Sequence, residues 1–152
     1  MDLLIVYDGS RGHTVKAVEA MARAAATTGA KARAVHIDLT DPDEVGSAHA
    51  LVAGCWVKGN VPFGGPQFGR MADWMERMPS MGGRPAGAFC TYGFFPMFFA
   101  DAVAHTGEAL ALMRAGLEAK GANVVATRAI HRRSAEKGAA DFVTSVLQHV
   151  AV

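Results

Sequence analysis

The chain has 152 residues, 51% of them hydrophobic and 19% charged, with a formal net charge of +1, which fits a single domain over 1–152 and predicts neither nucleic-acid steering nor a polybasic membrane contact. Cys55 and Cys90 each end an apolar run, the pattern of a reduced intracellular protein and not of a disulfide framework. The first residues read directly as a strand with no secretory leader, and no apolar run approaches the roughly 20 residues that span a bilayer, so a soluble cytoplasmic protein is expected.

Residues 3–7 (LLIVY) form an apolar run that predicts a strand buried on both faces, followed at once by Asp8-Gly9-Ser10-Arg11-Gly12-His13-Thr14. Val15, Val18, Met21, Ala22 and Ala25 then recur at i, i+3, i+4 spacing and predict a helix ended by Gly29. A strand that feeds a glycine- and hydroxyl-rich turn at the start of a helix gathers free backbone N–H groups, the positive end of a helix dipole and short hydroxyls. Ser10, Gly12, His13 and Thr14 are therefore candidate donors to an anion such as phosphate, although Ser or Thr also serves as an ordinary N-cap. The turn is not a Walker loop, because no lysine precedes Thr14, and its glycines lack the spacing of a G-x-S-x-G elbow.

Residues 32–37 (ARAVHI) predict a second strand carrying Arg33 and His36, and 38–44 a polar turn with a short helix after Pro42. Residues 48–55 (AHALVAGC) predict a third strand, uncharged apart from His49, and a glycine- and proline-rich loop follows from Trp56, Val57, Lys58, Gly59 and Asn60 to Pro66. Phe68, Met71, Met75 and Met78 mark a helix face, better read as packing than as a cofactor box. Residues 85–91 (PAGAFCT) predict a fourth strand of small residues ending in Thr91, and Tyr92 and Gly93 open an aromatic loop. Val103, Leu110, Met113 and Leu117 mark a helix capped by Gly121. Residues 123–130 (NVVATRAI) predict a fifth strand carrying Arg128, and Phe142, Val143, Val146, Leu147 and Val150 mark a last helix.

Strands alternating with helices predict a three-layer α/β sandwich on a five-stranded parallel sheet. Central parallel strands tolerate no charge, whereas edges do. The charged strands are the second and fifth, so the order 2-1-3-4-5, which puts both at edges, is preferred to 3-2-1-4-5. Ligands of such sheets bind beyond the carboxyl ends of the strands at the switch point, here between strands one and three. The three loops that meet there combine an anion turn with two aromatic loops, a site for a flat, phosphorylated ring system.

On these residues the chain resembles the flavodoxin-like family of FMN proteins. Tyr7 ends the first strand, and Ser10, Gly12, His13 and Thr14 stand where that family has its hydroxyl-rich phosphate turn. The uninterrupted fifth strand is similar to the short-chain form. The resemblance implies that the first turn holds the FMN phosphate without a metal and that the second and third loops flank the isoalloxazine ring. Trp56 and Tyr92 are the matching aromatics, and Val57, Lys58, Gly59, Asn60, Thr91 and Gly93 belong to the same loops. Gly9 and Arg11 depart from the family's turn; Arg11 either pairs with the phosphate or points to water. Trp56 and Tyr92 either stack on the flavin or pack on a neighbouring helix. Lys58 near the pyrimidine end of a flavin would favour its anionic reduced form and raise the potential; a solvated loop lysine is the other reading.

Other features read more plainly. Cys55 and Cys90 are best read as small core residues, and neither begins the cysteine-to-arginine loop of a small tyrosine phosphatase. Phe94, Phe95, Met97, Phe98 and Phe99 either shield the ring, form a homodimer or partner patch, or tuck a helix start into the core. His131-Arg132-Arg133 reads as a solvated basic turn in preference to a site for the phosphate of a pyridine nucleotide. No side chain suits a general acid, base or nucleophile, so the expected chemistry is electron transfer by FMN, with a redox partner protein or an NAD(P)H-linked reductase supplying electrons. Many flavodoxins are strongly acidic, which helps dock a basic partner. This chain is near neutral, so an NAD(P)H-dependent quinone reductase stays beside the carrier reading. A non-redox binding protein on the same fold is the third reading. A receiver domain would need an acidic cluster and a phosphorylatable Asp at a strand end, whereas strand three ends in Gly54-Cys55, and a cobalamin module would need an Asp-x-His-x-x-Gly loop, which is absent.

Overall fold

The computed structural model describes residues 1–9, 12–57, 69–93 and 99–150, with the backbone alone over 99–105. Five strands, β1 (Asp2–Asp8), β2 (Lys31–His36), β3 (Ala50–Trp56), β4 (Pro85–Tyr92) and β5 (Asn123–His131), form one parallel sheet in the order β2-β1-β3-β4-β5. The expected order is the observed one, and Arg33 and Arg128 do lie on its two edges. Among the described residues, four α-helices cover the sheet: α1 (Gly12–Thr27), α2 (Gly69–Arg77), α3 (Phe99–Ala119) and α4 (Ala135–Leu147). Short 3-10 turns span Ile37–Leu39, Pro42–Ser47 and Arg132–Ser134.

Both sheet faces are buried, which is why the central strands show no apolar/polar alternation. Leu3, Ile5, Ala50, Val52 and Phe89 point to a core shared with α1 and α4. Leu4, Val6, Leu51, Ala53, Cys55, Ala88 and Cys90 point to the opposite core, filled by Met71, Trp74 and Met75 of α2 and Met113 and Leu117 of α3. Gly29 (φ 80) and Gly121 (φ 73) sit just past the ends of α1 and α3 in the left-handed region, as their positions predict. Gly54 matters for another reason. It is the register partner of Phe89, and a Cβ there would stand 2.1 Å from the Phe89 ring. The ring fills the space that the missing side chain leaves, so the strand beneath the site is packed without slack.

The last helix starts at Ala135, seven residues before its first large apolar residue, Phe142. Ala135 and Ala139 continue the buried stripe, but alanine does not stand out in an alanine-rich sequence. Among the described residues, no helix is long and apolar enough to cross a membrane.

Candidate functional site

The carboxyl ends of β1, β3 and β4 lie side by side, with Tyr7 opposite Gly54, Cys55 opposite Cys90 and Trp56 opposite Thr91. Gly12, His13 and Thr14 open α1, and no acidic residue occupies its first turn. Their backbone N–H groups have no acceptor within the helix, and no described side chain caps them. Thr14 is fully buried, and its Oγ1 lies 2.7 Å from Thr91 Oγ1. The two hydroxyls carry two protons and their mutual bond uses one, so one is left for a further acceptor. A Cβ on Gly9 would come within 2.8 Å of Thr14 Oγ1. Glycine at this turn position lets the chain pass over the threonine.

Thr91 also holds the second loop: the Val57 N–H donates to the Thr91 carbonyl at 2.9 Å. One residue of β4 is thus bonded to the helix start after β1 through its side chain and to the loop after β3 through its backbone. Trp56, half-buried, stacks on His13 with ring centroids 5.8 Å apart and planes inclined at 27°. Tyr92, the other candidate aromatic, meets His131 edge-on, 5.1 Å between centroids at 77°. Gly93 lies close to both flanks. A Cβ there would stand 2.7 Å from Cδ of Arg132 and 3.4 Å from the outer edge of the Trp56 indole. His131 Nδ1 accepts the Arg133 N–H at 3.1 Å. Burial lowers the His131 pKa, and the positive charges of Arg133, Arg132 and His13 lower it further.

The structure therefore brings Gly12, His13, Thr14, Trp56, Val57, Thr91, Tyr92 and Gly93 to one end of the sheet. Ser10, Arg11, Lys58, Gly59 and Asn60 lie outside the described residues, as do Phe94, Phe95, Met97 and Phe98 of the aromatic patch. Cys55 and Cys90 are buried register partners; burial, with the nearby Asp8 carboxylate, pushes the Cys55 thiol up to about 12, and burial followed by Cys55 pushes Cys90 upward too. Thiols held protonated at neutral pH fit the reading as core residues.

Two arrangements lie beyond any local sequence pattern. Beside the site, Asp8 is clasped by Arg70 at 3.3 Å, and Arg70 also bonds Asp38, while His36 lies 3.9 Å from Asp8 and 3.5 Å from Asp38. On the other side, the basic turn reaches the third loop. Only the second was within reach of the sequence, because a 2-1-3-4-5 order with parallel register sets the end of β5 against the end of β4, here Tyr92 opposite His131. Described residues line surface cavities of about 350 Å³ at two places away from the loops. One lies at the amino edge of β1 and β2, the other between the Ile37–Leu39 turn and α2, and neither is lined by the loop residues above. No group of three or more His, Cys, Asp or Glu among the described residues could hold a metal ion.

Neither a family model nor a curated protein matches the chain by sequence. Solved structures match it end to end. A flavodoxin from Streptococcus pneumonia TIGR4 superimposes with a TM-score of 0.76 at 14% identity, covering 99% of this chain and 100% of that one. Oxidised flavodoxin 2 from Bacillus cereus gives 0.72 at 13% identity, with 97% and 99% covered. Two-electron reduced Megasphaera elsdenii flavodoxin gives 0.65 at 20% identity, with 91% and 98% covered. The chain has the flavodoxin fold.

Proposed function

We propose that this chain binds FMN noncovalently at the carboxyl ends of β1, β3 and β4 and acts as an electron-transfer protein. The observation that carries the reading is the position of Thr91, which bonds the first and second loops from the third at the switch point of a flavodoxin fold. The residues there suit such a group. The N–H groups of Gly12, His13 and Thr14, which no described side chain caps, and the spare hydroxyl proton of the Thr14–Thr91 pair are donors for a phosphate, and no acidic residue in the first turn of α1 opposes it. Trp56 and Tyr92 offer aromatic surface for a flat ring.

When bound, FMN supplies one- or two-electron transfer, and the protein contributes binding, orientation and nearby charge. Thr14 offers its backbone N–H first, because its side chain is tied to Thr91. Ser10 and Arg11 belong to the phosphate turn in this reading, and Lys58, Gly59 and Asn60 to the loop along the ring. Electrons arrive from a redox partner protein or an NAD(P)H-linked reductase in the cytoplasm. The test is the absorbance spectrum of the purified protein, followed by FMN titration of the flavin-free form. A flavin band and saturation at one equivalent per chain are expected. A colourless protein that takes up no FMN overturns the reading.

A further inference from the structure

Nine arginines lie among the described residues, and six of them are engaged. Arg23, Arg33, Arg70 and Arg114 meet carboxylates, while Arg77 and Arg84 donate to backbone carbonyls. The other three, Arg128, Arg132 and Arg133, are exposed, and their guanidinium groups have no partner among the described residues. All three lie on β5 or on the turn that follows it. Arg132 packs over Gly93, and His131 against Tyr92, so the unpaired charge borders the proposed flavin site directly. Glu136, the acid closest in sequence, pairs instead with Arg23.

Unpaired charge at one place calls for an explanation. A single arginine on an edge strand discourages edge-to-edge pairing, which accounts for Arg128 alone. Arg132 and Arg133 lie beyond the strand and guard nothing. Arg128 and His131 stand three positions apart on the strand and so face opposite sides of the sheet, which leaves His131, Arg132 and Arg133 as the charge beside the site. Neither described cavity encloses these residues. An exposed cationic rim that no cavity of the described residues encloses matches the flat face of a protein better than the pyrophosphate of one nucleotide.

We infer that the rim formed by His131, Arg132 and Arg133 beside Trp56 and Tyr92 is a docking surface for an acidic protein partner. Its charge would steer a carboxylate-rich face onto the aromatic end of the site and orient it there. The role of that partner in electron exchange rests on the flavin reading; the surface itself does not.

The two tryptophans make a flavin-independent test, because Trp74 is fully buried while Trp56 is half-exposed at the rim. Fluorescence quenching is measured with iodide and with caesium at pH 8, each scaled to a free tryptophan amide. Iodide should quench Trp56 more strongly than caesium, by about twofold or more at low salt, the two converging near 1 M salt, where the screening length is about 3 Å. The same signal then follows binding of poly-L-glutamate, with poly-L-lysine as the control. Polyglutamate should bind, polylysine should not, and R132E/R133E should weaken polyglutamate binding by about tenfold or more. Equal quenching by the two ions, no polyglutamate binding, or binding untouched by R132E/R133E overturns the inference. So does NADPH displacing polyglutamate at micromolar concentration, which would make the rim a nucleotide site. Polyglutamate binding to a chain that takes up no FMN would keep the surface and refute only the flavin reading.

Discussion

The carboxyl edge of the sheet has two charged rims, and they are built on opposite principles. At the β1–β2 end, Asp8, His36, Asp38 and Arg70 face one another, and Asp8 keeps only 12% of its side chain exposed. At the β4–β5 end, His131, Arg132 and Arg133 stand together with no carboxylate partner among the described residues. The first rim is closed on itself. It ties the first residues of α2 to the strand ends and presents little unsatisfied charge. The second is open, and burial, followed by the charges of Arg133, Arg132 and His13, lowers the His131 pKa there. A paired network is explained by folding. The open rim is the one proposed to receive a partner.

The largest effect expected from breaking this contrast is at Arg70. R70A leaves the part-buried Asp8 carboxylate without its closest cation and should cost about 1–3 kcal/mol of stability in urea unfolding. Thr91 lies between the rims and comes next. T91V leaves the buried Thr14 hydroxyl without its partner and should cost about 1–2 kcal/mol, whereas T14V/T91V should recover part of that loss, since paired removal is cheaper than orphaning one group. At the open rim, R132E/R133E should move stability by no more than about 0.5 kcal/mol. A loss comparable to that of R70A would show that the rim is structural after all.

The smallest effect is a titration. The folded-state His131 pKa lies below its ordinary value, so this residue's stabilising contribution is complete above about 6.5 and is lost as pH falls from there through the folded value. R132E/R133E removes two of the three cations responsible while leaving burial in place. The imidazole resonance of His131 should therefore titrate at higher pH in that variant. An unchanged midpoint would mean that burial alone sets it.

Much of this was legible in the chain. Charges at Arg33 and Arg128 identify the edge strands, and with them the switch point. The aromatic and glycine-rich loops follow from the same order. Thr14 was legible as a donor but not as one half of a tie, because its partner is 77 residues away. Asp8 and Arg70 are likewise joined across 62 residues, and no local pattern announces such a pair. In sequence the turn after β5 reads as an ordinary solvated segment; Arg132, Arg133 and Ser134 are indeed exposed, and only the register against β4 reveals what they border.

Titration of the flavin-free protein against FMN, followed by flavin fluorescence, tests the central claim most directly. If the loops gathered at Thr91 form a flavin site, the emission should change until one equivalent is bound, and T91V should need about tenfold more FMN to reach the same point, the equivalent of about 1.4 kcal/mol. Flavin emission that is unaffected by the wild-type protein at any concentration would contradict it.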